Sequence, residues 1–246
     1  MSILIHSIAF NVLFYLNTLI YLIVALPTFL LPYRAIIAVA RSWSRTNLVL
    51  LRVVAGIDIE VRGREKIPQG AIIVASKHQS AWETFALLPL FGNPVFIVKR
   101  ELQWIPIFGW LMIKGRMVPV DRGAGSQALI DMTEHARVEL ADNRQLIIFP
   151  EGTRRPAGAE PRYKYGVAHL YAAAGVPCVP VALNSGLFWP RRSIRRVPGT
   201  VVVEILDPIQ PGLDKDEFFA RLKDEIETAT ARLIEQGRNQ IAARSR

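Results

Sequence analysis

The sequence predicts an α/β fold in which a mixed, mostly parallel sheet is flanked by helices. Short apolar runs rich in β-branched residues recur after residue 56, and helical repeats of apolar residues separate several of them. This alternation is typical of layered folds with a parallel sheet at the centre. A long apolar stretch at the N-terminus adds a membrane helix or a two-helix membrane-associating motif. We therefore expect a membrane-associating helical segment over residues 1–55 and an α/β domain over residues 56–246.

The N-terminal stretch contains no Lys, Arg, Asp or Glu from residue 1 to residue 33. As a helix, its apolar part at 8–31 would be about 36 Å long, which is enough to cross a bilayer. Pro27 and Pro32 are expected to kink or end the helix, so a segment that enters the bilayer and returns is an open alternative. A cleaved secretory signal fits poorly, because no basic residue precedes the apolar run.

Four arginines follow at a spacing that places them on one face of a helix: Arg34, Arg41, Arg45 and Arg52. Such a helix would lie on an anionic membrane surface with its guanidinium groups among the headgroups, or would present a solvated face of the domain. Basic residues on the C-terminal side of a membrane segment indicate that the globular part faces the cytoplasm.

Strand and helix patterns alternate in the rest of the chain. A capping pair, Asp214 and Glu217, precedes the last helical repeat. Gly175 is expected to end the helix predicted at 167–174. Strands are predicted at 57–61, 71–75, 95–98, 117–120, 146–149, 180–183 and 200–206, and helices around 83–88, at 108–113, 126–140 and 167–174, and after residue 214.

Composition narrows the possible partners. The net charge of +9 favours an anionic partner such as nucleic acid, an acidic lipid surface or a phosphorylated substrate. Nucleic acid is disfavoured, because the arginines are divided among a helix, a loop and two strand ends with no recognisable reading motif. The single cysteine, Cys178, excludes an internal disulfide and fits core packing. No metal-ligand spacing or phosphate-binding P-loop is present, so no metal is expected.

His78 lies where a predicted strand ends and a helix begins. In alternating α/β chains this edge of the sheet holds ligands, because a rigid scaffold positions its loops. Glu83 reaches the imidazole only if the helix begins between the two residues. Neutral imidazole is a competent general base near pH 7, and a carboxylate on its other nitrogen would fix its tautomer. Ser80 and Glu83 also match a capping box, which is a structural explanation for the same glutamate.

Two more predicted strands end beside an arginine. Arg122 follows Asp121, and Arg154 follows Glu151 and Gly152. Two arginines at one edge of the sheet would clamp a phosphate, because the guanidinium fork binds phosphate oxygens in pairs. Alternatively, each arginine pairs with its neighbouring carboxylate.

Four sequence blocks follow one another along the chain: His78-x4-Glu83, Val120-Asp121-Arg122, Phe149-Pro150-Glu151-Gly152-Thr153-Arg154 and Val179-Pro180-Val181. In this order and spacing they resemble the blocks of the glycerolipid acyltransferases, and most nearly those of the bacterial 1-acyl-sn-glycerol-3-phosphate acyltransferases. The likeness covers most of residues 71–186, and Glu83 replaces the Asp that is commonest in the family.

The resemblance implies an acyltransferase of the bacterial inner membrane with its catalytic domain on the cytoplasmic face. In it, His78 would deprotonate the sn-2 hydroxyl of lysophosphatidic acid while Glu83 holds the imidazole. The alkoxide would attack an acyl thioester of coenzyme A or of acyl carrier protein, and no other cofactor is implied. One base is sufficient, because a thiolate leaves with little acid assistance. The substrate phosphate would be bound by Arg122, Arg154, Glu151 and Gly152.

The densest basic run lies at 189–196 and contains Arg191, Arg192, Arg195 and Arg196. It is interpreted as a loop that contacts the membrane or the acyl donor, or as a merely solvated loop. Two other functions stay open: acylation of another lyso-lipid, such as lyso-ornithine lipid, and non-catalytic binding of a lipid phosphate. A catalytic pair such as His78 and Glu83 argues against the second, since binding alone needs no base.

Overall fold

The computed structural model describes residues 3–121, 123 and 125–244. Within these ranges the chain forms eight α-helices and seven strands. The helices are α1 (Ile3–Ala25), α2 (Tyr33–Ala55), α3 (Glu83–Ala86), α4 (Phe108–Lys114), α5 (Gly125–Ala141), α6 (Gly166–Ala174), α7 (Ser185–Phe188) and α8 (Lys215–Arg244). The strands are β1 (Ile57–Arg62), β2 (Ile72–Ser76), β3 (Pro94–Lys99), β4 (Val118–Val120), β5 (Gln145–Ile148), β6 (Cys178–Leu183) and β7 (Gly199–Ile205).

The strands form one sheet in the order β1-β7-β6-β2-β5-β3-β4. All neighbouring strands are parallel except β6 and β7, which are antiparallel. The predicted mixed, mostly parallel sheet flanked by helices is therefore confirmed. The carboxyl ends of β2, β3, β4, β5 and β6 meet at one edge, where α/β folds bind their ligands.

Helices cover both faces of the sheet, so the central strands are apolar on both sides. Along β2, the side chains of Ile72 and Val74 join a core cluster that also includes residues of α1, α2 and α3. Ile73 and Ala75 point the other way and pack with residues of α5, α6 and α8. This alternation decides which side of the sheet each residue after β2 faces.

The predicted strands and helices lie within a few residues of those observed. Gly175 has a φ of +62° and ends α6, as predicted. Asp214 caps α8, because its Oδ1 accepts the N–H groups of Asp216 and Glu217 at 2.8 and 3.0 Å. Strand β6 begins at Cys178, earlier than predicted, because Cys178 already pairs with Ile73 of β2.

The N-terminal helices α1 and α2 form an antiparallel hairpin. A 3-10 turn over Leu26–Leu30 reverses the chain, and it contains Pro27 near its start. The Tyr21 hydroxyl lies 2.8 Å from that of Ser42, across the two helices. The expected boundary between the helical segment and the α/β domain, at residue 55, coincides with the end of α2. The hairpin nevertheless packs on the domain, because Phe10 of α1 and Leu51 of α2 belong to the same core cluster as residues of the sheet.

The prediction that four arginines of α2 face the membrane surface or solvent is wrong for Arg41. The guanidinium of Arg41 turns toward the protein and donates to the carbonyls of Leu88, Phe91 and Gly92. It therefore fixes the chain after α3 instead of facing headgroups. Arg34, Arg45 and Arg52 are exposed.

Candidate active site

Residues 77–82 join β2 to α3 and form the candidate catalytic loop. The Lys77 N–H donates to the Val181 carbonyl at 2.9 Å, so the loop leaves the sheet directly beside β6. The hydroxyl of Ser80 accepts the Trp82 N–H at 3.1 Å. The Glu83 carboxylate reaches back and accepts the N–H groups of Gln79 and Ser80. These bonds hold the turn ahead of α3, which begins at Glu83 and has only four residues. Ser80 and Glu83 interact as in a capping box, but the N-cap position itself is occupied by Trp82 and not by the expected Ser80.

The same carboxylate also faces His78. Its Oε1 lies 3.7 Å from His78 Nδ1, and Glu83 is fully buried while a small part of the imidazole stays exposed. Within the described ranges, Nδ1 has no hydrogen-bond partner. Catalytic hydrogen bonds are often long before substrate binds, and a small rotation of either side chain closes this one. Glu83 thus caps the turn and faces the imidazole at once.

The His78 ring is held from one side by an aromatic residue. It stacks on Phe149 with the ring centroids 4.0 Å apart and the planes 17° apart. Phe149 comes directly after β5, which is the strand next to β2. The stacking fixes the plane of the imidazole and shields one of its faces from water.

The carboxylate of Glu151 lies beneath the backbone of His78. Its Oε2 accepts the His78 N–H at 3.2 Å, and its Oε1 accepts from the Lys77 ammonium at 3.0 Å. Burial raises the pKa of Glu151, and the charge of Lys77 acts in the opposite direction. Because these contacts occupy the carboxylate, the alternative in which Glu151 pairs with Arg154 is wrong. Its expected part in a phosphate pocket stays a prediction.

Arg154 is exposed at the same edge of the sheet. The turn before it depends on Gly152, which has a φ of +64° and donates its N–H to the Phe149 carbonyl at 2.8 Å. Among the residues that the structure describes, none forms a hydrogen bond or ion pair with the Arg154 guanidinium. Its charge is therefore available to a ligand.

Arg122 lies outside the described residues, so its place in a phosphate clamp stays a prediction. Its neighbour Asp121 accepts from the Arg100 guanidinium at 3.3 Å and from the Gly123 N–H at 2.9 Å. The carboxylate that was a candidate partner for Arg122 thus has two other partners.

The basic run divides into buried and exposed members. Arg196 is only 5% exposed, so the expectation that it contacts the acyl donor or the membrane is wrong. Its guanidinium lies 4.0 Å from the centre of the Trp189 ring and donates to Asn11 Oδ1 of α1 at 2.6 Å. Burial lowers the pKa of Arg196 to about 10. It fastens this loop to the N-terminal hairpin.

The other three arginines of the run lie on the surface or near it, and their contact with an acyl donor stays a prediction. Arg192 and Arg195 are exposed. Arg191 donates to the backbone carbonyl of Arg154 at 2.9 Å. The loop therefore adds positive charge next to the exposed Arg154.

Sequence reasoning missed three residues around His78. Phe149 lies in a matched block, but nothing local indicates that its ring stacks on the imidazole. Lys77 adjoins His78, and strand alternation places its side chain on the opposite face of the sheet. Glu227 accepts from Lys77 at 2.6 Å across 150 positions of sequence, which no local pattern reveals.

The comparisons with known proteins agree with this architecture. The chain belongs to the Acyltransferase family, whose model matches residues 58–184. It is 40% identical over 177 residues to the 1-acyl-sn-glycerol-3-phosphate acyltransferase of Pseudomonas aeruginosa, across 72% of this chain and 69% of that one. Against 1-acyl-sn-glycerol-3-phosphate acyltransferase alpha of Homo sapiens it is 32% identical over 180 residues, but spans only 64% of that protein.

A solved structure supports the fold independently. The crystal structure of the 1-acyl-sn-glycerophosphate (LPA) acyltransferase PlsC from Thermotoga maritima superposes with a TM-score of 0.78. The match covers 94% of this chain and 98% of that one, at 23% sequence identity. At this identity the likeness concerns the fold alone, and it includes the N-terminal hairpin as well as the sheet.

Proposed function

We propose that this chain moves an acyl group from an acyl thioester to the sn-2 hydroxyl of lysophosphatidic acid, which gives phosphatidic acid. The observation that carries the proposal is the His78 and Glu83 pair at the carboxyl edge of the sheet. The names of the similar proteins from Pseudomonas aeruginosa and Homo sapiens support the choice of substrate. A binding protein would need neither the imidazole nor the buried carboxylate behind it.

In the proposed reaction, the free nitrogen of His78 takes the proton of the sn-2 hydroxyl. The resulting alkoxide attacks the thioester carbonyl, and the tetrahedral intermediate expels a thiolate. The imidazolium then returns its proton to that thiolate, so the enzyme ends as it began. Glu83 stabilises the imidazolium from the Nδ1 side, where only 3.7 Å separates the two groups. The low pKa of a thiol, about 8.5, makes a separate acid unnecessary.

The proposed phosphate site uses the exposed Arg154, which has no carboxylate partner in the described part of the chain. A phosphomonoester carries close to two negative charges near pH 7, and a guanidinium binds it through paired hydrogen bonds. Arg122 would complete the clamp from the end of β4. Arg191, held against the carbonyl of Arg154, adds positive potential at the same place.

The proposed location is the cytoplasmic face of the bacterial inner membrane. Ile3–Leu30 is long and apolar enough to cross a bilayer, and most of its side chains are exposed. Because α1 and α2 form a hairpin, the entering and returning alternative is favoured over a full span. The Lys114 ammonium donates to the Phe29 carbonyl at 3.2 Å, which joins α4 to the hairpin turn.

Exposed apolar side chains continue from the hairpin turn onto α4 and the segment before it. Leu30 is 92% exposed, Trp104 is 72% exposed and Trp110 is 54% exposed. Tryptophan favours the boundary between headgroups and acyl chains. This surface would bring the edge of the sheet that carries His78 close to lipid substrates.

The function is tested by the substrate preference of the purified full chain. Release of free thiol from acyl-coenzyme A should depend on added lysophosphatidic acid. Lyso-lipids without a phosphomonoester should react far more slowly, because they leave the Arg154 clamp unfilled. Equal rates with lyso-ornithine lipid would favour the alternative in which another lyso-lipid is the substrate.

A further inference from the structure

A largely buried cluster of charged side chains lies behind the catalytic loop. Lys77 is 3% exposed, and its ammonium donates to Glu151 Oε1 at 3.0 Å and to Glu227 Oε1 at 2.6 Å. The Tyr163 hydroxyl donates to the same oxygen of Glu227 at 2.8 Å. Three separate parts of the chain thus meet at one ammonium: the end of β2, the loop after β5 and the middle of α8.

The cluster and the imidazole lie on opposite sides of one short segment. Side chains alternate along β2, with Val74 on the hairpin side of the sheet and Ala75 on the side of α8. Continuing the alternation places Lys77 toward α8 and His78 toward α3. The contacts agree, since Lys77 reaches Glu227 of α8 while His78 faces Glu83.

Glu151 connects the two sides. One oxygen of its carboxylate binds the Lys77 ammonium, and the other accepts the backbone N–H of His78 at 3.2 Å. The Arg155 N–H donates to the His78 carbonyl at 2.8 Å, so both polar groups of the His78 backbone are bound by the loop after β5. Hydrogen bonds to a buried carboxylate depend on its orientation, and the orientation of Glu151 depends on Lys77.

The cluster costs free energy as well as supplying contacts. With all three groups ionised, one ammonium faces two carboxylates, so the cluster has a net charge of −1; Lys77 and Glu151 are buried, whereas 24% of the Glu227 side chain is exposed. Burying charge is unfavourable, and replacing such groups by apolar ones often stabilises a protein. An arrangement that costs stability beside a catalytic residue indicates a role in function.

We propose that Lys77 and Glu227 are positioning residues for His78: they hold the Glu151 carboxylate so that it fixes the backbone of the general base. The inference rests on the proposed function for the reaction that is measured. Through Glu227, the C-terminal helix α8 becomes a support of the catalytic loop. Neither residue touches the reacting atoms, so their loss should slow the chemical step and leave substrate binding intact.

The test compares Lys77→Met with wild type in the purified full chain. We expect kcat to fall about 100-fold, the scale of a misplaced catalytic group, with an unchanged KM for lysophosphatidic acid. Lys223→Met removes an exposed lysine of α8 and is the matched control, with wild-type kcat expected. A Lys77→Met protein that stays folded and keeps wild-type kcat overturns the proposal.

A second variant keeps the test decisive if Lys77→Met does not fold. Lys77→Met combined with Glu227→Gln retains the cluster's net charge of −1, because it removes one positive and one negative group. This double variant still lacks the hold on Glu151, so its kcat should remain low while its KM is unchanged. A double variant with wild-type kcat contradicts the proposal.

Hydrogen exchange gives a readout that does not depend on the reaction. The amide of His78 should exchange faster with deuterium in Lys77→Met than in wild type, because Glu151 no longer holds its N–H; equal rates argue against the proposal. A failure of the proposed function would appear in wild type itself, as absent thiol release. A failure of this inference would appear only in the Lys77 variants.

Discussion

The Glu83 carboxylate lies 3.7 Å from His78 Nδ1 and accepts the Ser80 N–H with the same oxygen. One buried group therefore shapes the turn that carries the histidine and faces its ring. The two interpretations of this glutamate, as a helix cap and as the partner of a base, describe one arrangement. The stabilising and catalytic effects of Glu83 can be separated by changing its charge without changing its shape.

Replacing Glu83 by Gln should lower kcat by roughly 10²- to 10⁴-fold, because an amide keeps one acceptor for the cap but cannot stabilise the imidazolium. Glu83→Asp keeps the charge and should retain much more activity. Steady-state rates of thiol release from acyl-coenzyme A measure both. If Glu83→Gln is as active as Glu83→Asp, the carboxylate acts only as a cap.

Arg154→Ala should raise the KM for lysophosphatidic acid by about 10- to 100-fold with little change in kcat, since a hydrogen bond to a charged group contributes about 1.5–3 kcal/mol. The exposed Arg137 of α5 provides a matched control, Arg137→Ala, for the loss of a surface charge. An unchanged KM in Arg154→Ala would remove this residue from the phosphate clamp.

The core strands were predictable from sequence because their apolar runs are local signals, as at β2 and β5. The candidate base was predictable for the same reason, since His78 and Glu83 are close in sequence. The burial of Arg196 was not, because it depends on Asn11, which is 185 positions away. A basic run predicts exposure on average, and the packing of α1 against Trp189 overrides it here. The cluster around Lys77 likewise joins distant segments.

Arg196→Ala should destabilise the fold, whereas the exposed Arg195→Ala should not. The change removes a cation–π contact and leaves Asn11 without its donor, at a cost of about 2–3 kcal/mol. For a protein of this size, the thermal unfolding midpoint should fall by about 5–10 °C. Equal midpoints for the two variants would show that the buried guanidinium contributes no stability.

Trp104 and Trp110 should contact the acyl chains of a bilayer. When the protein is bound to vesicles, lipids brominated in their acyl chains should quench its tryptophan fluorescence. Bromine quenches tryptophan only at close range, so quenching reports contact with the acyl chains. Changing both residues to Phe should remove a large part of the quenched emission. The same vesicles without bromine are the control. Quenching that is the same in wild type and in the double variant would place this surface away from lipid.

The central claim is that His78 is the general base of an acyl transfer to lysophosphatidic acid. Thiol release can be followed with a thiol reagent at low background, because the one cysteine, Cys178, is fully buried. Substituting His78 by Ala should slow lysophosphatidic acid-dependent thiol release by about 10²- to 10⁴-fold, whereas the exposed His135→Ala should match wild type. Equal rates of release from wild type and His78→Ala would contradict the proposed mechanism.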